Sequence, residues 1–137
     1  MILLTPELRA ALRANVDARE AAHIDRRADP DPMPVVKFFN PVGAATWLAT
    51  ELDEEDDILF GLADLGFGCP ELGYFSLREI ESIRLPFGLA IERDLGFIGL
   101  QPLSVWAEAA RLTGSIISAE RLLRDIASTG TFGLPPG

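Results

Sequence analysis

A glycine-rich loop near the middle of the chain is flanked by residues that are suited to acid–base chemistry. The loop reads Gly-Phe-Gly-Cys-Pro from residue 66, with Asp64 before it and Glu71 after it. Two carboxylates that converge can act as general acid and general base. The alternative is that both cap turns by accepting hydrogen bonds from backbone amides. The loop lacks the third glycine of a dinucleotide-binding fingerprint and the Gly-Lys-Ser/Thr of a P-loop.

Cys69, the one cysteine of the chain, lies inside this loop. A cysteine nucleophile requires a histidine base, and the one histidine, His23, is far away in sequence, late in a predicted helix. A single cysteine excludes an internal disulfide, and no cluster of histidines and cysteines supports a transition-metal site. We therefore predict no cofactor, and catalysis by Asp64 or Glu71 with help from Cys69 is the alternative to a binding function.

An acidic cluster at residues 51–57 is the second group of interest. It contains six carboxylates and no base, in a chain whose net charge is -9. Such a cluster can bind a basic partner, but it lacks the glycine and the spacing of an EF-hand calcium loop. The other interpretation is a solvated turn whose charges prevent association through strand edges. The consecutive acids of this predicted binding site are Asp53, Glu54, Glu55, Asp56 and Asp57.

Composition and charge exclude several classes of protein. An acidic chain without a segregated basic face repels phosphate backbones, so we expect no direct binding of nucleic acid. Apolar residues make up 48% of the chain, which excludes bulk disorder. No stretch approaches the roughly 20 apolar residues that a membrane span needs, and the first residues lack the basic region of a signal peptide. We expect a cytoplasmic protein, and the sequence does not predict its oligomeric state.

The elements around these residues predict an α+β fold. A helix begins at Pro6 after a Thr5 cap, and a proline-rich linker follows at 29–34. Alternating apolar residues on either side of the acidic cluster predict a β-hairpin with the acids in its turn. The predicted strands are 35–39, 46–52, 58–64, 71–75 and 89–93, and the later helices are 76–84, 104–112 and 119–127, the last capped by Ser118.

These elements fit a single domain over residues 1–127 with its core in 35–112. We predict an antiparallel sheet of four or five strands, covered by the long N-terminal helix and by short C-terminal helices, because the apolar faces of a sheet must be covered. Trp47 and Trp106 have apolar neighbours and are predicted to lie in the core. The segment 128–137 is predicted to be a flexible tail.

Residues 40–95 resemble a bacterial family, the domain of unknown function DUF2958. The similar motifs are Gly-Ala-Ala-Thr-Trp-Leu at 43–48, the acidic turn, and Pro-Glu-Leu-Gly-Tyr-Phe-Ser-Leu at 70–77. Looser similarity extends the resemblance over most of residues 2–112, and the residues after about 113 look like an extension. Ala63 departs from the family pattern, in which a cysteine precedes Asp-Leu-Gly.

The resemblance implies an accessory gene of plasmids and other mobile elements, a setting in which counter-defence and transfer proteins are common. It implies no reaction and no catalytic residues. Because the chain also lacks a complete catalytic constellation and carries the acidic cluster, we predict a protein-binding or inhibitory module whose partner has a basic surface. The alternative is a small enzyme that uses the glycine-rich loop with Asp64 and Glu71.

Overall fold

The structure, a computed structural model, describes residues 1–129 of the 137-residue chain. Within these residues four α-helices and a five-stranded antiparallel sheet form the α+β arrangement that the sequence predicts. The strands are β1 (Val36–Phe39), β2 (Thr46–Leu52), β3 (Ile58–Asp64), β4 (Glu71–Ser76) and β5 (Glu92–Arg93). The helices are α1 (Pro6–Ile24), α2 (Leu77–Ser82), α3 (Leu103–Thr113) and α4 (Ile116–Thr129).

The sheet has the strand order β4-β3-β2-β1-β5, and all its neighbouring strands are antiparallel. The hairpin of β2 and β3 lies inside the sheet, and its register shifts at a bulge between Ala49 and Glu51. Gly61 lies opposite Ala49, just before this bulge. A Cβ atom on Gly61 would come within 1.8 Å of the Leu48 carbonyl oxygen, so the close approach of the two strands requires glycine here.

Two clusters of buried side chains cover the two faces of the sheet. Successive residues of β2 belong to different clusters: Trp47 packs with Leu12 of α1, and Leu48 packs with Trp106 of α3. Because successive side chains of a strand point to opposite faces, the clusters lie on opposite sides of the sheet. Both tryptophans are buried, as predicted. The helix α1 thus belongs to one layer, and α3 and α4 belong to the other.

The four longer strands agree with the prediction to within one residue, whereas the C-terminal part of the fold differs more. The predicted strand at 89–93 contains only two residues in β-structure, because only Glu92 and Arg93 pair with β1, and a 3-10 turn at Pro86–Gly88 precedes it. The last helix begins at Ile116, three residues earlier than predicted. Its capping hydroxyl is Ser115, which accepts a hydrogen bond from the Ser118 N–H at 3.0 Å, so the prediction of Ser118 as the cap was wrong.

Buried side chains also extend beyond the segment 35–112 in which the core was expected. Leu12 of α1 is fully buried, and Ile116 and Leu123 of α4 are buried against α3 and the sheet. The helix α4 includes residues 128 and 129, where the tail was expected to begin. The remainder of that predicted tail lies outside the described residues.

Candidate functional site

The acidic turn between β2 and β3 is fixed by hydrogen bonds within the protein. Asp53 Oδ1 accepts hydrogen bonds from the backbone N–H groups of Asp57 and Ile58, each at 3.0 Å. The Asp57 carboxylate accepts one bond from the Ser76 hydroxyl and one from the Arg78 N–H, both at 2.9 Å. The Arg78 N–H, followed by the Ser76 hydroxyl, holds the pKa of Asp57 below its ordinary value. The turn is thereby attached to the start of α2.

Arginines of α1 neutralise part of the same turn. Arg13 donates a hydrogen bond to the Asp56 carboxylate, and an Arg9 guanidinium nitrogen lies 3.4 Å from it. The bond from Arg13 is the largest cause that lowers the pKa of Asp56. Further along α1, Arg19 binds both oxygens of Glu51, at 2.9 and 3.1 Å, and this contact raises the pKa of the guanidinium. The helix α1 therefore lies alongside the acidic turn and the end of β2 that leads into it.

Glu54 and Glu55 form the exposed tip of the turn. Among the described residues, neither carboxylate takes part in a hydrogen bond or an ion pair, although the Glu54 carbonyl oxygen accepts a bond from Arg13 at 3.4 Å. Glu79 of α2 is exposed as well, and its N–H donates to the Ser76 hydroxyl at the base of the turn. Of the predicted binding residues 53–57, Glu54 and Glu55 are thus the two whose carboxylates make no bond within the described part of the protein.

The structure places Asp64 and Glu71 on opposite faces of the sheet. Asp64 is 1% exposed, and its two oxygens accept hydrogen bonds from the N–H groups of Gly66 at 2.8 Å and Ile116 at 2.9 Å. Glu71 is exposed and lies opposite Ala63 in the register of β3 and β4. Directly opposite residues share a face, and Ala63 and Asp64 point to different faces. The two carboxylates therefore do not converge, and Asp64 caps the loop and the start of α4.

Cys69 and His23 also lie apart. Cys69 is exposed and lines a cavity of about 270 Å³ together with Phe67 and Glu71. His23 lines a different cavity, and its Nε2 lies 2.8 Å from Asp29 Oδ1. The glycine-rich loop therefore has no histidine base beside its cysteine. Within residues 1–129, no three histidine, cysteine or carboxylate side chains are grouped so that they could hold a metal ion.

A groove beside Tyr74 brings together residues that the sequence analysis did not connect. Tyr74 is 74% exposed, and its ring packs edge-on against Phe60 with the centroids 5.1 Å apart. A cavity of about 330 Å³ and a second of about 210 Å³ lie beside this pair, and both are lined by Arg19 and Glu51. The second cavity extends to Glu54, so the groove reaches the acidic turn. The alternation of β4 was the available signal, since it places Leu72 and Tyr74 on one face.

Comparison with known proteins identifies a family and one partial relative. The family model described as "Protein of unknown function (DUF2958)" matches residues 3–117, which include the whole sheet and the first two residues of α4. The chain is also similar to a dihydroorotate dehydrogenase (quinone) of Azotobacter vinelandii, with 39% identity over 85 residues. That match covers 56% of this chain and 23% of the relative, so the chain spans less than a quarter of it. No solved structure matches the chain.

Proposed function

The chain belongs to the DUF2958 family, and we propose that it is a protein-binding module that acts on a partner with a basic surface, as an inhibitor or an accessory factor. The observation that carries this proposal is the construction of the acidic turn. Asp53, Asp56 and Asp57 are held by internal bonds, whereas Glu54 and Glu55 project from the turn without a partner among the described residues.

Preorganisation gives this arrangement its value for binding. Side chains and loops that are ordered before association lose less conformational freedom when a partner binds. The bonds to α1 and α2 hold the turn in place, so Glu54 and Glu55 are presented from a fixed backbone. Exposed like charges repel each other by about 1 kcal/mol for a close pair in water. A turn that served only as a connection would not need this repulsion, whereas a cationic partner removes it.

The resemblance supports the wider setting of the proposal. It implies genes of bacterial plasmids and mobile elements, and we propose that the protein acts in the bacterial cytoplasm in that context. Within residues 1–129, none of the helices combines the length and the apolar composition that crossing a bilayer requires. The rival proposal of an enzyme at the glycine-rich loop has less support, because Asp64 and Glu71 point to opposite faces of the sheet and Glu71 alone of the two lines a cavity with Cys69.

Affinity capture with matched charge variants tests the proposal. The wild-type protein and Glu54→Gln/Glu55→Gln serve as baits at about 0.05 M and about 0.5 M salt, since exposed charges are screened over shorter distances as salt rises. We expect a basic protein to be retained by the wild type at low salt, and to be lost at high salt and with the variant. The control bait, Glu108→Gln/Asp125→Asn, loses the same charge from α3 and α4 and should retain the partner. Equal capture by all three baits would contradict the proposal.

A further inference from the structure

The outer edge of β4 is a free edge of the sheet. In the described part of the chain, β4 pairs with β3 on one side and with no strand on the other. The N–H of Leu77 donates to the Asp57 carbonyl oxygen at 2.8 Å, just beyond the last registered pair of β3 and β4. In an antiparallel ladder, hydrogen-bonded pairs alternate with non-bonded pairs whose N–H and C=O groups point away. Counting back from Leu77, the backbone groups of Leu72 and Tyr74 point to the free edge.

Apart from the charge of Glu71 at its first residue, β4 lacks the features that usually prevent association through a strand edge. In natural proteins, short length, a proline, a lysine or a bulge prevents an edge strand from pairing with another chain. The other edge of the sheet follows this rule, because β5 contains two residues. By contrast, β4 has six residues with the sequence Glu-Leu-Gly-Tyr-Phe-Ser and registers with β3 without a shift. Its side chains Leu72 and Tyr74 are 50% and 74% exposed.

Exposed acids lie at both ends of this edge. Glu71 begins β4, and Glu79 follows it on α2. The end of β4 is also joined to the acidic turn, because the Ser76 hydroxyl donates to Asp57 at 2.9 Å. The groove beside Tyr74, which extends to the unpaired carboxylate of Glu54, lies on the face to which this ring points. A strand that added to the edge would therefore meet an exposed carboxylate near each end and the groove that reaches Glu54 near Tyr74.

We propose that the β4 edge binds an extended, positively charged segment of the partner protein as a sixth strand. The inference rests on the proposed function and specifies its mode of recognition. Backbone hydrogen bonds at Leu72 and Tyr74 supply sequence-independent affinity, and alternate side chains of the added strand supply selectivity. A basic side chain opposite Tyr74 gains a contact with the ring face and lies near the carboxylates of the groove.

A peptide titration on the whole protein tests this mode. The probe is a short synthetic peptide in which arginine and valine alternate, and the comparison peptide carries glutamate in place of arginine. We expect the arginine peptide to slow hydrogen exchange of the Leu72 and Tyr74 amides at least about tenfold, because both N–H groups become bonded. The glutamate peptide should leave both exchange rates unchanged. Unchanged exchange at saturating arginine peptide would overturn the inference.

A pair of variants separates the backbone contact from the side-chain contact. Leu72→Pro removes the outward N–H, which an edge strand tolerates, and Leu72→Ala removes the same side chain but keeps the N–H. We expect Leu72→Pro to bind the arginine peptide at least about tenfold more weakly than Leu72→Ala. A tenfold change in affinity corresponds to about 1.4 kcal/mol, which is the size expected for one lost hydrogen bond. Equal affinities would overturn the edge mode. If Leu72→Pro does not fold, Tyr74→Pro and Tyr74→Ala provide the same comparison.

The variant Glu54→Gln/Glu55→Gln distinguishes failure of this inference from failure of the proposed function. If it weakens peptide binding while the two Leu72 variants bind equally, the acidic turn recognises the partner and the edge does not. If it leaves binding unchanged while the Leu72 variants differ, the edge mode stands and the role of the turn fails. Concentration-dependent self-association that Leu72→Pro abolishes, without peptide binding, would assign the edge to a second copy of the chain and overturn the inference.

Discussion

The carboxylate of Asp64 accepts a hydrogen bond from the Ile116 N–H at 2.9 Å and thereby joins the end of β3 to the first residue of α4, 52 positions later. A negative group at this place satisfies an N–H that the helix itself leaves without a partner, and it interacts favourably with the helix dipole. The other Asp64 oxygen accepts the Gly66 N–H at 2.8 Å. The residue that resembled a general base in the sequence therefore connects a loop to a helix.

Replacing Asp64 should lower stability in proportion to the hydrogen bonds that are lost. Asp64→Ala leaves two backbone N–H groups without their acceptor, and we expect the free energy of unfolding to fall by about 1–3 kcal/mol. Asp64→Asn keeps one acceptor oxygen and should cost less than Asp64→Ala. Urea unfolding followed by circular dichroism measures both values. If Asp64→Ala unfolds like the wild type, the capping role is wrong.

The acidic turn should make the protein sensitive to acid. The pKa values of Asp56 and Asp57 lie below the ordinary value in the folded state, so their contribution is present above the unfolded value of about 4 and is lost as pH falls through the lower folded values. We expect the urea midpoint to fall as the pH drops below about 4, with a smaller pH-dependent loss in Asp57→Asn.

The control for this pH dependence is Glu55→Gln. Its carboxylate takes part in no hydrogen bond or ion pair within the described residues, so its removal breaks no bond of the turn. At about 0.5 M salt, which screens the repulsion between the acids of the turn, Glu55→Gln should lose as much of the urea midpoint below about pH 4 as the wild type. A profile in Asp57→Asn that coincides with those of the wild type and Glu55→Gln would show that the turn does not couple protonation to folding.

The stability of the protein should depend on the ion pair between Lys37 of β1 and Glu120 of α4. The ammonium lies 2.7 Å from Glu120 and 3.4 Å from Asp94, and the Lys37 and Glu120 side chains are only 12% and 13% exposed. Glu120→Gln removes the nearer charge from a partly buried cation, and we expect a loss of about 1–3 kcal/mol. Glu108→Gln, which breaks an exposed pair with Arg111, should change stability by less than about 1 kcal/mol. Equal losses of unfolding free energy in Glu120→Gln and Glu108→Gln, measured by chemical denaturation, would contradict this prediction.

Gly61 and Gly73 lie opposite each other in the register of β3 and β4. Replacing each by alanine should change the stability of the protein in opposite directions. A Cβ atom on Gly61 would collide with the Leu48 carbonyl oxygen, whereas a Cβ atom on Gly73 meets no atom within 4 Å. We expect Gly61→Ala to lower the free energy of unfolding by about 3 kcal/mol or to prevent folding. Gly73→Ala should fold with a melting temperature at or above that of the wild type, because it also restricts the unfolded chain. A stable Gly61→Ala protein would contradict the strand geometry.

The hairpin of β2 and β3 was predictable because its information is local. Apolar residues alternate on either side of the acidic turn, and this pattern gave both strands with their observed bounds. The groove beside Tyr74 was not predictable in the same way. Arg19 reaches Glu51 over 32 residues and Arg13 reaches Asp56 over 43. Such contacts depend on where α1 crosses the hairpin, which no local pattern specifies.

The boundaries of the C-terminal helices show a second limit of local patterns. Ser118 was predicted as the cap of the last helix, whereas the cap in the structure is Ser115. Asp64 distinguishes them, because its carboxylate binds the Ile116 N–H and supports a helix that starts there. The interpretation of Asp64 as a catalytic candidate and the late start assigned to α4 were therefore two consequences of one unseen contact.

The position of α4 determines when the protein can fold during its synthesis. Lys37 and Asp64 emerge from the ribosome early, but Glu120 and the Ile116 N–H that bind them are made 83 and 52 residues later. Until then one apolar face of the sheet, which includes Leu48, has no α4 to cover it. Until α4 is released, the nascent chain therefore carries a sheet face that is only partly covered, and Lys37 and Asp64 each have one of their two partners, Asp94 and the Gly66 N–H. This interval exposes the chain to proteases and to chaperones.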